Sequence, residues 1–210
     1  MKYAQHIANK ILARILANPT YSPASALDFL DLGTRAAVDQ SLSRLVRRNK
    51  LCRVSRGLYA LSRVSSLTGR QAVSTPDGVA RSIARKLEMR ILPSPPQASN
   101  LLGLSTQVPA KLVYLTDGRS RRVNAGPFTF YFRHASPRTM AVSGRLAPVV
   151  FQALRDLRRN AISDSHIARL RRLLRQKDKQ DLIKSLHCAP GWMKPILLQI
   201  AQPAPEDHHG

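Results

Sequence analysis

Ile7, Ile11 and Ile15 recur at every fourth position near the start of the chain, with Ala4, Ala8, Leu12 and Leu16 beside them. That period predicts a helix over residues 3–17 with one buried stripe. Asn18-Pro19 ends it, because a residue before proline avoids the α region. Ser22-Pro23 reads as an N-cap followed by proline, opening a short helix from Pro23 to about Leu30 that buries Ala26, Leu27 and Leu30. Gly33 supplies a left-handed stop. Thr34 then caps a third helix, about Arg35 to Asn49, whose inward positions are Val38, Leu42, Leu45 and Val46. Two apolar runs, 51–54 and 58–61, form a ribbon turned at Ser55-Arg56-Gly57.

Residues 62–75 lack periodicity and are rich in Ser, Thr and Gly, which marks a linker. Thr75-Pro76-Asp77 starts a helix over about 77–89 that buries Val79, Ile83 and Leu87, and a short helix follows between proline-bounded turns. The stretch 112–133 alternates. Val113 and Leu115 precede an Asp117-Gly118 turn, Val123 precedes a Gly126-Pro127 turn, and Phe128, Phe130 and Phe132 share one strand face. This predicts a three-stranded antiparallel meander whose phenylalanines pack in a core. From Ser143 onward the chain reads as helical, with stripes at Leu146, Val150, Leu154 and Leu157, then Ile167, Leu170 and Leu174, then Leu182, Ile183 and Leu186. A last amphipathic helix contains Trp192, Ile196 and Ile200. The expected fold class is α+β, mainly helical. An N-terminal winged helix-turn-helix over 1–70 is followed over 71–210 by an α+β domain with a small meander and C-terminal helices.

Charge gives this pattern a partner. The 34 Lys and Arg against 12 Asp and Glu leave a formal net charge of +22, which points to a polyanion. The excess is spread along the chain, with no low-complexity basic tail. A hydrophobic content of 43% is that of a globular protein. No run of about 18 apolar residues exists, so no membrane partner is expected, and the reading is cytoplasmic. Cys52 and Cys188 stand far apart, without CxxC spacing or a Cys/His cluster, so neither a metal site nor a disulfide is expected.

The order helix, turn, helix, basic ribbon is how a winged helix-turn-helix presents itself to double-stranded DNA. On the third helix the face opposite the apolar stripe holds Arg35, Ala36, Asp39, Gln40, Ser43, Arg44 and Arg47, beside the capping Thr34. These are the types that reach base edges and phosphates from the major groove. Arg53 and Arg56 sit at the ribbon, placed for phosphate or the minor groove.

Few groups offer catalysis. Asp28/Asp31 and Asp178/Asp181 have helical spacing on faces expected to be exposed, suited to capping or ion pairing. No GxxxxGKS or GxxxxGKT loop, GxSxG elbow or HExxH occurs. A nucleotidyltransferase would need Gly-Ser followed by paired aspartates, which the chain lacks. His134, beside Arg133 and Arg138, reads as structural. The expectation is no catalysis, no cofactor and no metal.

The stretch AVDQSLSRLVRRNKLCRVSRGLYAL and the later ARSIARKLEMRILPSPPQASNLLGLSTQVPAKLVYLTDGRSRRV resemble AbiEi-type antitoxins of type IV (abortive-infection) toxin–antitoxin systems. The similarity is clearest over residues 34–123. The resemblance implies a winged helix that binds the protein's own promoter and represses its operon. It also implies a C-terminal domain that counteracts a nucleotidyltransferase toxin without needing a stable complex. A basic surface of Arg119, Arg121, Arg122, Arg133 and Arg138 on the meander is then the expected antitoxin face. Three alternatives stay open: a stand-alone winged-helix regulator, a general nucleic-acid binder using Phe130 or Tyr131 as a stacking platform, and a module for an acidic protein partner.

Overall fold

A computed structural model describes residues 2–17, 22–62 and 75–202. The chain is mixed α and β, with more helix than strand. It divides into two compact units, Met1–Met89 with Arg122–Phe130, and Arg90–Arg121 with Tyr131–Gly210. The expected boundary at residue 70, like most of the expected linker, falls among residues 63–74, outside the described residues.

In the first unit, α1 (Lys2–Leu16) lays Ile7, Ile11 and Ile15 into the core, as the four-residue spacing predicts. The stop expected at Asn18-Pro19 lies outside the described residues. The next segment departs from expectation. The α-helix read from Pro23 to Leu30 is a 3₁₀ helix, Ala26–Leu32. Its cap is Ser25, whose N–H donates to the Asp28 carboxylate at 2.6 Å. With three residues per turn, positions 26, 29 and 32 share a face. Ala26 and Phe29 are therefore buried, whereas Leu27 and Leu30, expected inside, are exposed at 43% and 44%.

Helix α2 (Arg35–Arg47) follows, burying Val38, Leu42 and Leu45 against the same core. Val46, expected inside, is only half-buried. Strands β1 (Leu51–Ser55) and β2 (Leu58–Leu61) pair antiparallel, with a register shift between Arg53 and Ser55 that sets Val54 apart. A bridge between Ala24 and Tyr59, with both N–H···O bonds at 2.8 Å, ties the segment before the 3₁₀ helix to β2. Helix α3 (Pro76–Lys86) starts at Thr75, whose Oγ1 accepts the Gly78 N–H at 3.2 Å, and buries Val79, Ala80, Ile83 and Ala84.

The sheet is larger than the expected meander. It has four strands, β3 (Ile91–Pro93), β4 (Leu112–Thr116), β5 (Arg121–Ala125) and β6 (Phe128–His134), in the order β3-β4-β6-β5. The added strand, β3, pairs antiparallel with β4 through Ile91 and Thr116. Phe130 and Phe132 are buried, and Phe132 lies 6.1 Å from Tyr114, ring centre to ring centre. Burial removes Phe130 as a stacking platform for bases.

In the second unit, α4 (Pro95–Leu101) packs on α6 (Ala147–Leu157), where the Ser99 hydroxyl donates to the Ala153 carbonyl at 3.3 Å. Around them come the short α5 (Pro137–Met140), α7 (Asp164–Leu173), α8 (Gln176–Lys184) and α9 (Lys194–Ala201). Val150, Phe151, Leu154, Leu170, Leu182 and Leu197 share their core. Ile183, read as part of that stripe, is exposed at 49%. Asp178, expected on an exposed face, is buried and accepts the Arg175 N–H at 3.2 Å. Trp192 belongs to a 3₁₀ turn, Gly191–Met193, ahead of α9.

Candidate nucleic-acid interface

Thr34 opens α2 by accepting the Ala37 N–H on its hydroxyl at 3.3 Å. From that start the helix burial sorts the expected contact residues into a centre and a flank. Ala36, Gln40, Ser43 and Arg47 are exposed and lie four, three and four apart, which makes one stripe along the helix. Asp39 and Arg44 are half-buried beside it. Arg35 is exposed and its Nε donates to the Asp39 carboxylate at 2.9 Å, while the Ser43 hydroxyl donates to the Asp39 carbonyl at 2.9 Å. One acidic group is thus occupied by an arginine on its own helix, and the stripe beside it carries Gln40 and Arg47 with no carboxylate of its own.

The ribbon adds Arg53 and Arg56, both exposed. With Arg35, Asp39, Tyr59 and Lys86 they border an open cleft of about 460 Å3. Four cations and one carboxylate line its rim, so its field attracts anions. Lys86, from α3, donates its ammonium to the Arg56 carbonyl and so holds the ribbon turn. The neighbouring Arg85 donates to the Pro23 carbonyl at 3.1 Å and lies 3.7 Å from Asp28. Sequence reasoning missed Lys86, because its partner stands thirty residues away and no local pattern marks such a bond.

Of the five arginines expected as one antitoxin face, Arg121, Arg122 and Arg133 lie on the paired strands β5 and β6, and Arg119 lies just ahead of β5. Arg122 belongs to the first unit; Arg119, Arg121, Arg133 and Arg138 belong to the second. Arg138 is on α5, not on the meander, and donates to the carbonyls of His187, Cys188 and Ala189 at 3.1–3.2 Å. It thereby closes the end of a 3₁₀ turn, a structural task. Arg155 stands near it, donating to the Thr139 hydroxyl at 3.1 Å. Burial pushes the pKa of the Arg155 guanidinium down, and the charge of Arg138 adds to that.

His134 closes the Asp117-Gly118 turn. Its N–H donates to the Ser120 hydroxyl at 2.9 Å, and its Nδ1 lies 3.0 Å from the Gly118 carbonyl. Asp28 and Asp31 cap and pair as expected, Asp31 with Arg14 at 2.7 Å. Both cysteines are free thiols, and burial raises the pKa of Cys52. Among the described residues no group of three or more His, Cys, Asp or Glu gathers as a metal site, and no helix is long and apolar enough to cross a membrane.

Residues 10–182 match the model of DUF6088, a family of unknown function. The chain belongs to this family. The matched span contains α2, the ribbon, α3 and the four-stranded sheet, and ends within α8. No curated protein and no solved structure matches it.

Proposed function

We propose that the first unit is a winged helix-turn-helix module for duplex DNA, with α2 as the recognition helix and the β1–β2 ribbon as the wing. The observation that carries this reading is the Ala24–Tyr59 bridge. It makes the order of elements helix, bridging strand, helix, helix, ribbon, with β2 tied to the segment ahead of the 3₁₀ helix, while Leu51 of the ribbon shares the core of α2. An exposed Gln40/Ser43/Arg47 stripe and a basic ribbon then lie on one small unit, as groove reading plus phosphate grip require. The resemblance over residues 34–123 extends the proposal: a repressor of its own operon, and a type IV antitoxin that opposes a nucleotidyltransferase toxin. On that reading the second unit carries the antitoxin role.

The test is a titration of the full chain against its own promoter duplex and a scrambled duplex at the same salt. Promoter binding tighter by about 10³-fold or more supports a sequence-specific repressor. Equal affinity for both sinks specific readout and leaves a general polyanion binder. For the antitoxin role, co-expression with a neighbouring nucleotidyltransferase gene must restore growth; failure removes that half of the proposal.

A further inference from the structure

The tip of the β5–β6 hairpin, residues 122–130, clusters with the first unit although some sixty residues of chain separate it from the ribbon. Its attachment is specific. The Gly126 N–H donates to the Val54 carbonyl at 2.7 Å, and the Ser55 hydroxyl donates to the Asn124 carbonyl at 3.4 Å. Val54 is the residue set apart by the register shift in β1, so the hairpin turn seats where the ribbon's own ladder is interrupted. Gly126 has φ +56, and a Cβ there would stand 3.9 Å from Val54, so the position needs glycine for its backbone and not for space.

Strand alternation places Arg122 and Asn124 on one face of β5. Both are exposed, whereas Ala125 on the other face is buried. Arg122 is therefore about 7 Å along the strand from the residue whose carbonyl meets Ser55. Neither 48–62 nor 122–130 contains an Asp or Glu, and together they hold Arg48, Lys50, Arg53, Arg56 and Arg122. Such an acid-free pair of hairpins complements a polyanion, and on the DNA reading that polyanion is the phosphodiester backbone.

We propose that the wing is composite, with the 122–130 hairpin extending the ribbon, and that Arg122 makes a DNA backbone phosphate contact. This rests on the DNA reading above and deepens it. It assigns Arg122 to DNA, and it makes the DNA-binding surface discontinuous in sequence. A backbone contact is sequence-blind, so Arg122 contributes equally on promoter and random duplex.

The experiment compares the full chain with Arg122→Gln, Arg122→Lys and Arg56→Ala, measuring affinity for promoter duplex across a salt series. Arg122→Gln lowers the slope of log affinity against log salt by about 0.9, and Arg122→Lys restores it. Thermal midpoints equal to wild type show that the fold is kept. An unchanged slope in Arg122→Gln, with a reduced one in Arg56→Ala, overturns the composite wing and leaves the ribbon reading standing. Unchanged slopes in both overturn the DNA reading itself, and this inference with it.

Discussion

The guanidinium of Arg169 fills the space that a side chain at Gly103 would take. A Cβ on Gly103 would stand 2.8 Å from Arg169 Cζ, and Arg169 Nε donates to the Leu102 carbonyl at 2.8 Å. Gly103 also has φ +64, so the glycine is needed twice, for its backbone and for its emptiness. Gly103→Ala is expected to cost about 1–3 kcal/mol, from left-handed strain and from displacing the arginine. Arg169→Ala removes one of those two penalties, so the double variant should be less destabilised than the sum of the singles. Urea midpoints check this; strictly additive costs would show that the two residues are independent.

The 3₁₀ geometry of Ala26–Leu32 reverses the α-helical reading, which puts Leu30 in the buried stripe and leaves Phe29 out of it. Phe29 is 1% exposed and Leu30 is 44% exposed. Phe29→Ala should therefore destabilise the protein by about 3–5 kcal/mol. Leu30→Ala should change stability by no more than about 0.5 kcal/mol. Similar losses at both positions in a thermal melt would contradict the three-residue period.

Gln40 stands at the centre of the exposed α2 stripe, and glutamine reads adenine through a paired hydrogen bond. Gln40→Ala is expected to weaken promoter binding by about 1–3 kcal/mol while leaving random duplex unaffected. Arg47→Ala, at the last residue of α2, should weaken both duplexes alike if it grips phosphate. Promoter affinity unchanged in both variants would take α2 out of the interface.

Arg14 and Asp31 form an exposed pair, and the hydrogen bond from Arg14 holds the Asp31 carboxyl below its ordinary 3.8. A depressed carboxylate stabilises the folded state above its unfolded pKa and loses that contribution as pH falls through the folded one. Wild type should therefore lose more thermal stability than Asp31→Asn on acidification below about pH 4. The pair faces solvent, so the difference should be small and should shrink in high salt. A difference that is unaffected by salt would show another cause.

The sequence made the long stripes legible. Ile7, Ile11 and Ile15 are buried, as are Val38, Leu42 and Leu45, because both α1 and α2 run long enough for the 3.6 period to declare itself. The 3₁₀ segment has only seven residues, in which periods of three and four place different leucines inside and composition does not choose. Strand β3 is three residues ending in proline, too short for any alternation, and it exists because β4 offers an open edge. At the candidate site the local pattern marked Arg35 to Arg47 and the ribbon arginines. It did not mark Lys86 or the seat of Gly126 on Val54, which join positions far apart in the chain. Sequence periodicity reports what an element does with its own faces; it carries no record of which distant carbonyl a backbone N–H will find.

The bond between Gly126 and Val54 also bears on solubility. A strand with free N–H and C=O groups along its outer edge is a template on which other chains pair. In the full chain the Val54 carbonyl on that edge is occupied by the hairpin turn. A fragment ending at Met89 keeps the helices and the ribbon but loses the hairpin, and it would carry that edge bare. Such a fragment is expected to self-associate through β1, so the later hairpin works as an intramolecular guard against edge-to-edge aggregation.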